Sequence, residues 1–279
     1  MHKKRTIHPR IRKALARQIE AIQRARVRLQ QGDDAEALHD FRVALRRTRS
    51  LLRPLLDIES KAQRLKRAGR PLWQYARQTN PLRDGEVQAT LIATLPPELW
   101  GAAQQAWQAD RQQRLDQQRH ELIEALCRPR LLKQLDQLRR AGKRVLGELG
   151  RRELMDAGRL DLHILRRRLL RMLADGAEHP EHWHAIRLDA KRLRYLLEGF
   201  GYLEGTDWAS ELAACKAAQD SLGELHDVDV LIVDLNAAGL LNPALDEALG
   251  AERQNRLALA KVDLQTLAAI LRHDPAPPA

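Results

Sequence analysis

Aromatic side chains are scarce in this chain. Two Phe, three Tyr and five Trp make up 4% of 279 residues. Proteins that read single-stranded nucleic acid stack bases on such rings, and no base-reading module is recognisable either. Cysteine is nearly absent. Cys127 and Cys215 cannot build a disulfide framework, fit a reducing compartment, and read as buried thiols. No apolar run approaches the roughly 20 residues that cross a bilayer, and the basic start MHKKRTIHPRIRKALARQ lacks the apolar stretch of a signal peptide. A cytoplasmic protein without a membrane partner is therefore expected. Alternation with period two is missing as well. Val230-Leu231-Ile232-Val233 suits a buried strand, but the matching Val87-Gln88-Ala89-Thr90-Leu91 favours a helix. G-x-x-x-x-G-K-[ST], G-x-S-x-G and H-E-x-x-H do not occur. His182 and His184 lie two apart, about 200° around a helix, which makes them poor joint metal ligands. No catalytic residue, metal or cofactor is expected.

What the chain has is positive charge in a pattern. Lys and Arg number 48 against 37 Asp and Glu, a formal net charge of +11, and this surplus points to an anionic partner. Two segments concentrate it: LHDFRVALRRTRSLL, with His39, Arg42, Arg46, Arg47 and Arg49, and WHAIRLDAKRLRYLL, with His184, Arg187, Lys191, Arg192 and Arg194. Spacings of i, i+3, i+7 and i+10 put His39, Arg42, Arg46 and Arg49 on one helix face, and His184, Arg187, Lys191 and Arg194 likewise. Phe41, Leu45, Thr48, Leu52 and Leu55 point the other way, as do Ile186, Ala190, Leu193 and Leu197. Each segment predicts an amphipathic helix with a core face and a cationic face. A basic stripe is ordinarily the solvated side of a surface helix. Two stripes with the same layout, each led by histidine, point instead to a built anion site.

The repetition extends further. Corresponding stripe residues are 145 positions apart, as are the helix breakers Pro54 and Gly199, which are expected to end the two basic helices. Leu82-Arg83-Asp84-Gly85-Glu86-Val87 matches Leu225-His226-Asp227-Val228-Asp229-Val230, and Asp110-Arg111-Gln112-Gln113-Arg114-Leu115 matches Glu252-Arg253-Gln254-Asn255-Arg256-Leu257. The pattern predicts a single domain, 1–279, made by internal duplication, with copies at 8–127 and 150–272 joined by 128–149. Helices are predicted at 10–31, 35–53, 60–79, 83–95 and 98–127, then at 160–174, 181–199, 206–222, 226–239 and 243–272. On the first, Ile11, Leu15, Ile19, Ile22, Val27 and Leu29 carry the apolar pattern. Gly32-Asp33-Asp34 is read as the break and cap before the second, and residues 274–279 as a frayed tail.

The paired basic helices, with Lys216, Gln219, Leu222 and Gly223 leading into the Leu-x-Asp-x-Asp-Val stretch at 225–230, resemble the CHAD family, the conserved-histidine α-helical domain. The resemblance spans essentially the whole chain. Gly85 and Gln88 depart from the later motif in the first copy. The resemblance implies an all-α fold of two helical bundles related by a pseudo-twofold, with a basic cleft or pore that binds inorganic polyphosphate. Residue by residue it transfers to His39, Arg42, Arg46, Arg47 and Arg49 and to His184, Arg187, Lys191, Arg192 and Arg194. The E-x-E-x-K signature of triphosphate tunnel enzymes, often fused to this family, is missing.

Elementary chemistry agrees with such a ligand. Polyphosphate has no bases to read, so its receptor needs cations along a track, and the planar fork of arginine grips two phosphate oxygens at once. The first to last basic group of each stripe spans about 15 Å. The histidines add donors whose charge depends on pH, unless they simply bond helix-end partners such as Asp40 and Asp189. Arg24, Arg28, Arg167, Arg168, Arg171 and Lys216 are candidates to extend the track. Arg111, Arg114, Arg253 and Arg256 have acidic neighbours and read as surface ion pairs. Asp84, Glu86, Asp227 and Asp229 read as caps or partners of the basic track, with a divalent cation beside polyphosphate as the other reading. The expectation is non-enzymatic polyphosphate binding in the cytoplasm, in association with polyphosphate granules. Competing readings are a helical nucleic-acid-binding protein and a phosphotransfer or hydrolase enzyme that uses histidine.

Overall fold

Leucine, alanine and long charged residues favour helix, and helices account for nearly all the described residues. The computed structural model describes residues 7–32, 36–56, 58–176, 179–203 and 206–273. In order the helices are α1 (Ile7–Gln31), α2 (Glu36–Leu56), α3 (Glu59–Gln78), α4 (Asn80–Ala93), α5 (Ala102–Cys127), α6 (Pro129–Glu148), α7 (Arg151–Gly176), α8 (Pro180–Phe200), α9 (Ala209–Ala237) and α10 (Pro243–Arg272). Short 3-10 turns cover Pro97–Leu99 and Gly201–Leu203, and no strand occurs among the described residues. The fold is all-α, as expected, and Val230-Leu231-Ile232-Val233 lies in α9. The break at Asp33-Asp34 and the tail at 274–279 lie outside the described residues. None of the described helices is long and apolar enough to cross a membrane.

Proline starts helices here more than it ends them. Pro81, Pro129, Pro180 and Pro243 sit in first turns, where the missing N–H has no intrahelical acceptor to lose. The Asn242 carboxamide oxygen also accepts from the Leu245 N–H at 2.8 Å and caps α10. Pro54 and Gly199 do not end their helices. Both lie in the last turn, and α2 and α8 run on to Leu56 and Phe200. Leu55, fully buried, anchors the residues past Pro54. Gly199 serves contact: a Cβ there would stand 3.3 Å from Leu51 Cδ1 of α2.

Other boundaries differ for equally local reasons. The segments 206–222 and 226–239, expected as two helices, are the single helix α9. Gly223 in its middle is tolerated because a neighbouring guanidinium occupies the space its side chain would fill. Residues 128–149 form α6, whose Leu131, Leu135, Leu138, Val145 and Leu146 are fully buried against α1 and α3. Val27 is 47% exposed, and Ala25 takes the inner position on α1. The expected inner faces of α2 and α8 are buried throughout. Cys215 is buried and desolvation pushes its thiol up to about 12, whereas Cys127 is only partly covered.

One large apolar core takes residues from every helix, so the two halves share an interior. A smaller cluster joins Ile92 and Trp100 to Val228, Leu231, Leu235, Leu245 and Leu249. The helices that matter most meet across the middle: α2 packs on α8 and α4 on α9. Polar ties reinforce the second contact. Gln88 Nε2 donates to the Asp227 carbonyl at 2.7 Å, and Gln104 Nε2 to the Leu240 carbonyl at 3.0 Å.

Both departures from the family pattern have structural reasons. Gln88 makes that buried tie, and a Cβ at Gly85 would lie 2.2 Å from Leu115 Cδ2, so α4 and α5 need the glycine. Arg26 shows how part of the basic surplus is spent on structure. Its Nε donates to the Leu126 carbonyl at 3.0 Å and its Nη2 to the Cys127 carbonyl, satisfying the open end of α5.

Candidate functional site

Because α2 lies on α8, their cationic faces open into one space. A cleft of about 870 Å³ is bordered by His39, Arg42 and Arg46 of α2 and by His184, Arg187 and Lys191 of α8. Helices α4, α5 and α9 supply the other walls, including Arg83, Asp84 and Gln88, Arg111 and Arg114, and Gln219 and Asp227. The first three members of each stripe thus come together.

Three of the cations lie against specific neighbours. Thr79, buried at the joint between α3 and α4, accepts from Arg42 Nη1 at 2.8 Å and donates to the Ala76 carbonyl at 2.8 Å. Gly223 lets the Arg187 guanidinium lie against α9, with Nη2 3.2 Å from where a Cβ would be. Arg46 rests near the Tyr195 ring, 6.0 Å from its centroid. The Nε atoms of Arg46 and Arg187 are buried with no hydrogen-bond acceptor. Neither these two arginines nor Lys191 has a carboxylate partner among the described residues.

Burial without counter-charge destabilises these cations. Desolvation, then the charges of Arg46, Arg187, Arg42 and Arg194, pull Lys191 down to about 7. Desolvation and Arg46 bring Arg42 to about 10, and Arg46 is lowered by the same burial and by Arg194, Arg187 and Arg47. The arginines stay charged at neutral pH while Lys191 is balanced between its two forms. An anion in the cleft would relieve every one of these penalties.

Acids also face the space. Asp84 and Asp227 hold equivalent positions in the matched stretches and interact across the cleft, where burial first and then Asp84 raise the Asp227 pKa against Arg187 and His226. Glu86 is bonded by Arg119 at 2.9 Å and Asp229 by Arg253 at 2.6 Å. Among the described residues, no three His, Cys, Asp or Glu side chains cluster as a metal site.

The remaining stripe residues turn aside. Arg47 pairs with Glu198 at 3.3 Å, and Arg194 lies 3.9 Å from the same carboxylate and over Tyr195. Arg49 stands 5.9 Å from the Trp73 ring centroid and Arg192 bonds Asp189 at 2.8 Å. Ten residues of helix rotate a side chain by about 80° from its start, enough to carry position i+10 past the rim. Asp40 and Asp189 are not histidine partners. Asp40 binds Arg28, and the buried Asp189 binds Arg168 and Arg192.

The candidate extensions of the track lie elsewhere. Arg24 and Arg28 border a separate depression of about 250 Å³, and Arg168 and Arg171 another of about 470 Å³. Lys216 pairs with Asp220 at 2.8 Å. Conversely, Arg83 and His226 line the cleft without having been singled out, although both stand in the matched stretches at 82–87 and 225–230. Arg111 and Arg114 make ion pairs as expected, with Asp234 at 3.0 Å and Asp110 at 2.6 Å, and also border the cleft.

Comparison with known proteins assigns this architecture. A sequence model of the CHAD domain matches residues 13–235. The chain belongs to the CHAD family. The crystal structure of the CHAD domain from the plant Ricinus communis is similar to it with a TM-score of 0.72, covering 97% of this chain and 93% of that one at 24% identity. At that identity the likeness establishes the common fold. A search of curated proteins finds no match. In this CHAD domain α2 and α8 both lie within the matched residues, and the cleft lies where they meet.

Proposed function

We propose that this CHAD domain binds inorganic polyphosphate in the cleft between α2 and α8 and performs no chemistry on it. The carrying observation is a set of half-buried cations without carboxylate partners, Arg46, Arg187 and Lys191, gathered from two matching helices into one space. Their positions, with Arg42, His39 and His184, suit a flexible chain of phosphates that presents charge at every unit. The family resemblance supports the same ligand. Arg47, Arg49, Arg192 and Arg194 belong to this reading as the flanks of the track, and Arg24, Arg28, Arg168, Arg171 and Lys216 as outlying contacts. The duplication is part of the proposal, since Arg46 and Lys191, and Asp84 and Asp227, are equivalent pairs that meet across the middle. In the cell such a protein would accompany cytoplasmic polyphosphate stores.

A competition experiment tests the reading. Labelled long-chain polyphosphate is displaced by unlabelled polyphosphate, RNA or DNA at physiological salt. Polyphosphate should compete best at equal phosphate concentration. Equal competition by RNA, or dependence on its sequence, would favour a nucleic-acid partner instead.

A further inference from the structure

A second, smaller cavity of about 120 Å³ adjoins the cleft between α8, α9 and α10 and shares His184, Arg187 and His226 with it. Its inner wall is apolar: Trp183, Leu222 and Leu225 are buried there, and the partly exposed Leu257 closes the α10 side. At the mouth the His184 and His226 rings stand edge to face, centroids 6.3 Å apart. An apolar cavity of about 150 Å³ accepts benzene, so this smaller one takes the edge of a planar ring while the rest of the ring stands over its mouth. It is several-fold too small for a complete ligand, whose other contacts must come from elsewhere. The cleft supplies them directly, because Arg187 lines both spaces.

The first half is built differently at the matching place. Leu222 and His226 correspond to Thr79 and Arg83, and Asp229 to Glu86. Thr79 is engaged with Arg42, and Glu86 with Arg119 and Arg83, while Leu38, Leu82 and Leu115 stand for Trp183, Leu225 and Leu257, so the first half lacks the tryptophan, the second imidazole and one apolar wall position. A uniform polyanion has no use for an apolar recess on one side of its track. A phosphate chain that ends in a planar ring has.

We propose that this recess holds the nucleobase of a nucleoside di- or triphosphate whose phosphates lie on Arg187, Lys191 and Arg46. The imidazoles offer stacking faces to a base. Arg187 and Lys191 are one turn apart on α8, about 6 Å, a distance that two or three linked phosphates span and one does not. The Asp229 carboxylate on the rim, held by Arg253 at 2.6 Å, is an acceptor for an amino group of the base. The inference rests on the cleft being a phosphate site.

Calorimetric titration with ATP, CTP and inorganic tripolyphosphate at equal ionic strength tests it. The nucleotides should bind about 10-fold more tightly than tripolyphosphate. Leu257→Trp, which fills the recess from its partly exposed wall, should erase that advantage and leave tripolyphosphate and long-chain polyphosphate affinities unchanged. His226→Ala, at an exposed position, should lower nucleotide affinity more than tripolyphosphate affinity, and serves if Leu257→Trp misfolds. Equal binding of nucleotides and tripolyphosphate by the unmodified protein would overturn the recess while leaving polyphosphate binding intact. So would a nucleotide advantage that survives both substitutions. If no phosphate compound binds at all, both readings fall together.

Discussion

Arg46 and Lys191 hold equivalent positions on two matching helices and face one another on the floor of a single cleft. Burial lowers both, Arg46 lowers Lys191 further, and neither has an acidic partner among the described residues. Such a pair is unfavourable in the free protein and persists because the opposite faces of α2 and α8 are locked in the core. Phe41, Leu45, Leu52 and Leu55 on one helix and Ile186, Ala190 and Leu193 on the other provide that lock.

The first prediction follows from Lys191. Its folded pKa, about 7, lies below the ordinary lysine value of 10.5. Between these limits the unfolded chain binds a proton that the folded chain has lost, so this group makes stability rise with pH across that window. The thermal midpoint of the free protein should increase from pH 7 to pH 9, and Lys191→Met should flatten the increase. Bound polyanion raises the pKa of Lys191, so binding takes up a proton and affinity should fall as pH rises above about 7. A dependence retained unchanged in Lys191→Met would mean that Lys191 is not its source.

Two glycine substitutions should act in opposite ways. Gly223→Ala lies inside α9, where alanine gains up to about 1 kcal/mol of helix stability. The three nearest atoms to its Cβ would be those of the Arg187 guanidinium, at 3.2–3.6 Å, which would have to shift by a few tenths of an ångström. The variant should match or exceed the parent in urea denaturation yet bind polyphosphate more weakly. Gly85→Ala instead meets the buried Leu115 side chain and should lose about 1–3 kcal/mol of stability. A Gly223→Ala protein with undiminished affinity would mean that the guanidinium position against α9 is unimportant.

Much of this was legible in the sequence, and what was missed has a common cause. The period of apolar residues located α2 and α8 and identified their buried faces, because a helix face is a local property. Which part of each basic face meets the cleft depends on how α2 crosses α8, fixed by contacts such as Leu51 against Gly199. A single-helix pattern does not encode that crossing, so Arg49 and Arg194 were grouped with Arg46 and Lys191 although they lie past the rim. The same limit applies to Gly223. It reads as a break in isolation and is a seat for Arg187 in the fold. Pro54 likewise suggests an end that the burial of Leu55 overrides.

Thr79 provides a third prediction. Its hydroxyl is the neutral anchor that aims Arg42 into the cleft. Thr79→Val keeps the shape and removes one hydrogen bond to the arginine, typically worth about 0.5–1.5 kcal/mol. Polyphosphate affinity should drop about 3–10-fold, with Arg42→Ala showing a larger loss. Equal affinities of Thr79→Val and the parent, with native helix content by circular dichroism, would mean that Arg42 needs no anchor.

The most direct measurement is the salt dependence of long-chain polyphosphate binding to the parent protein and to the Arg46→Ala/Lys191→Ala double variant. For the parent, log affinity should fall linearly with log salt, by roughly 0.7 per phosphate neutralised if the single-strand value applies. The double variant, folded by circular dichroism, should bind more weakly and with a shallower slope. An unchanged affinity and slope in that variant would contradict the assignment of polyphosphate to the cleft between α2 and α8.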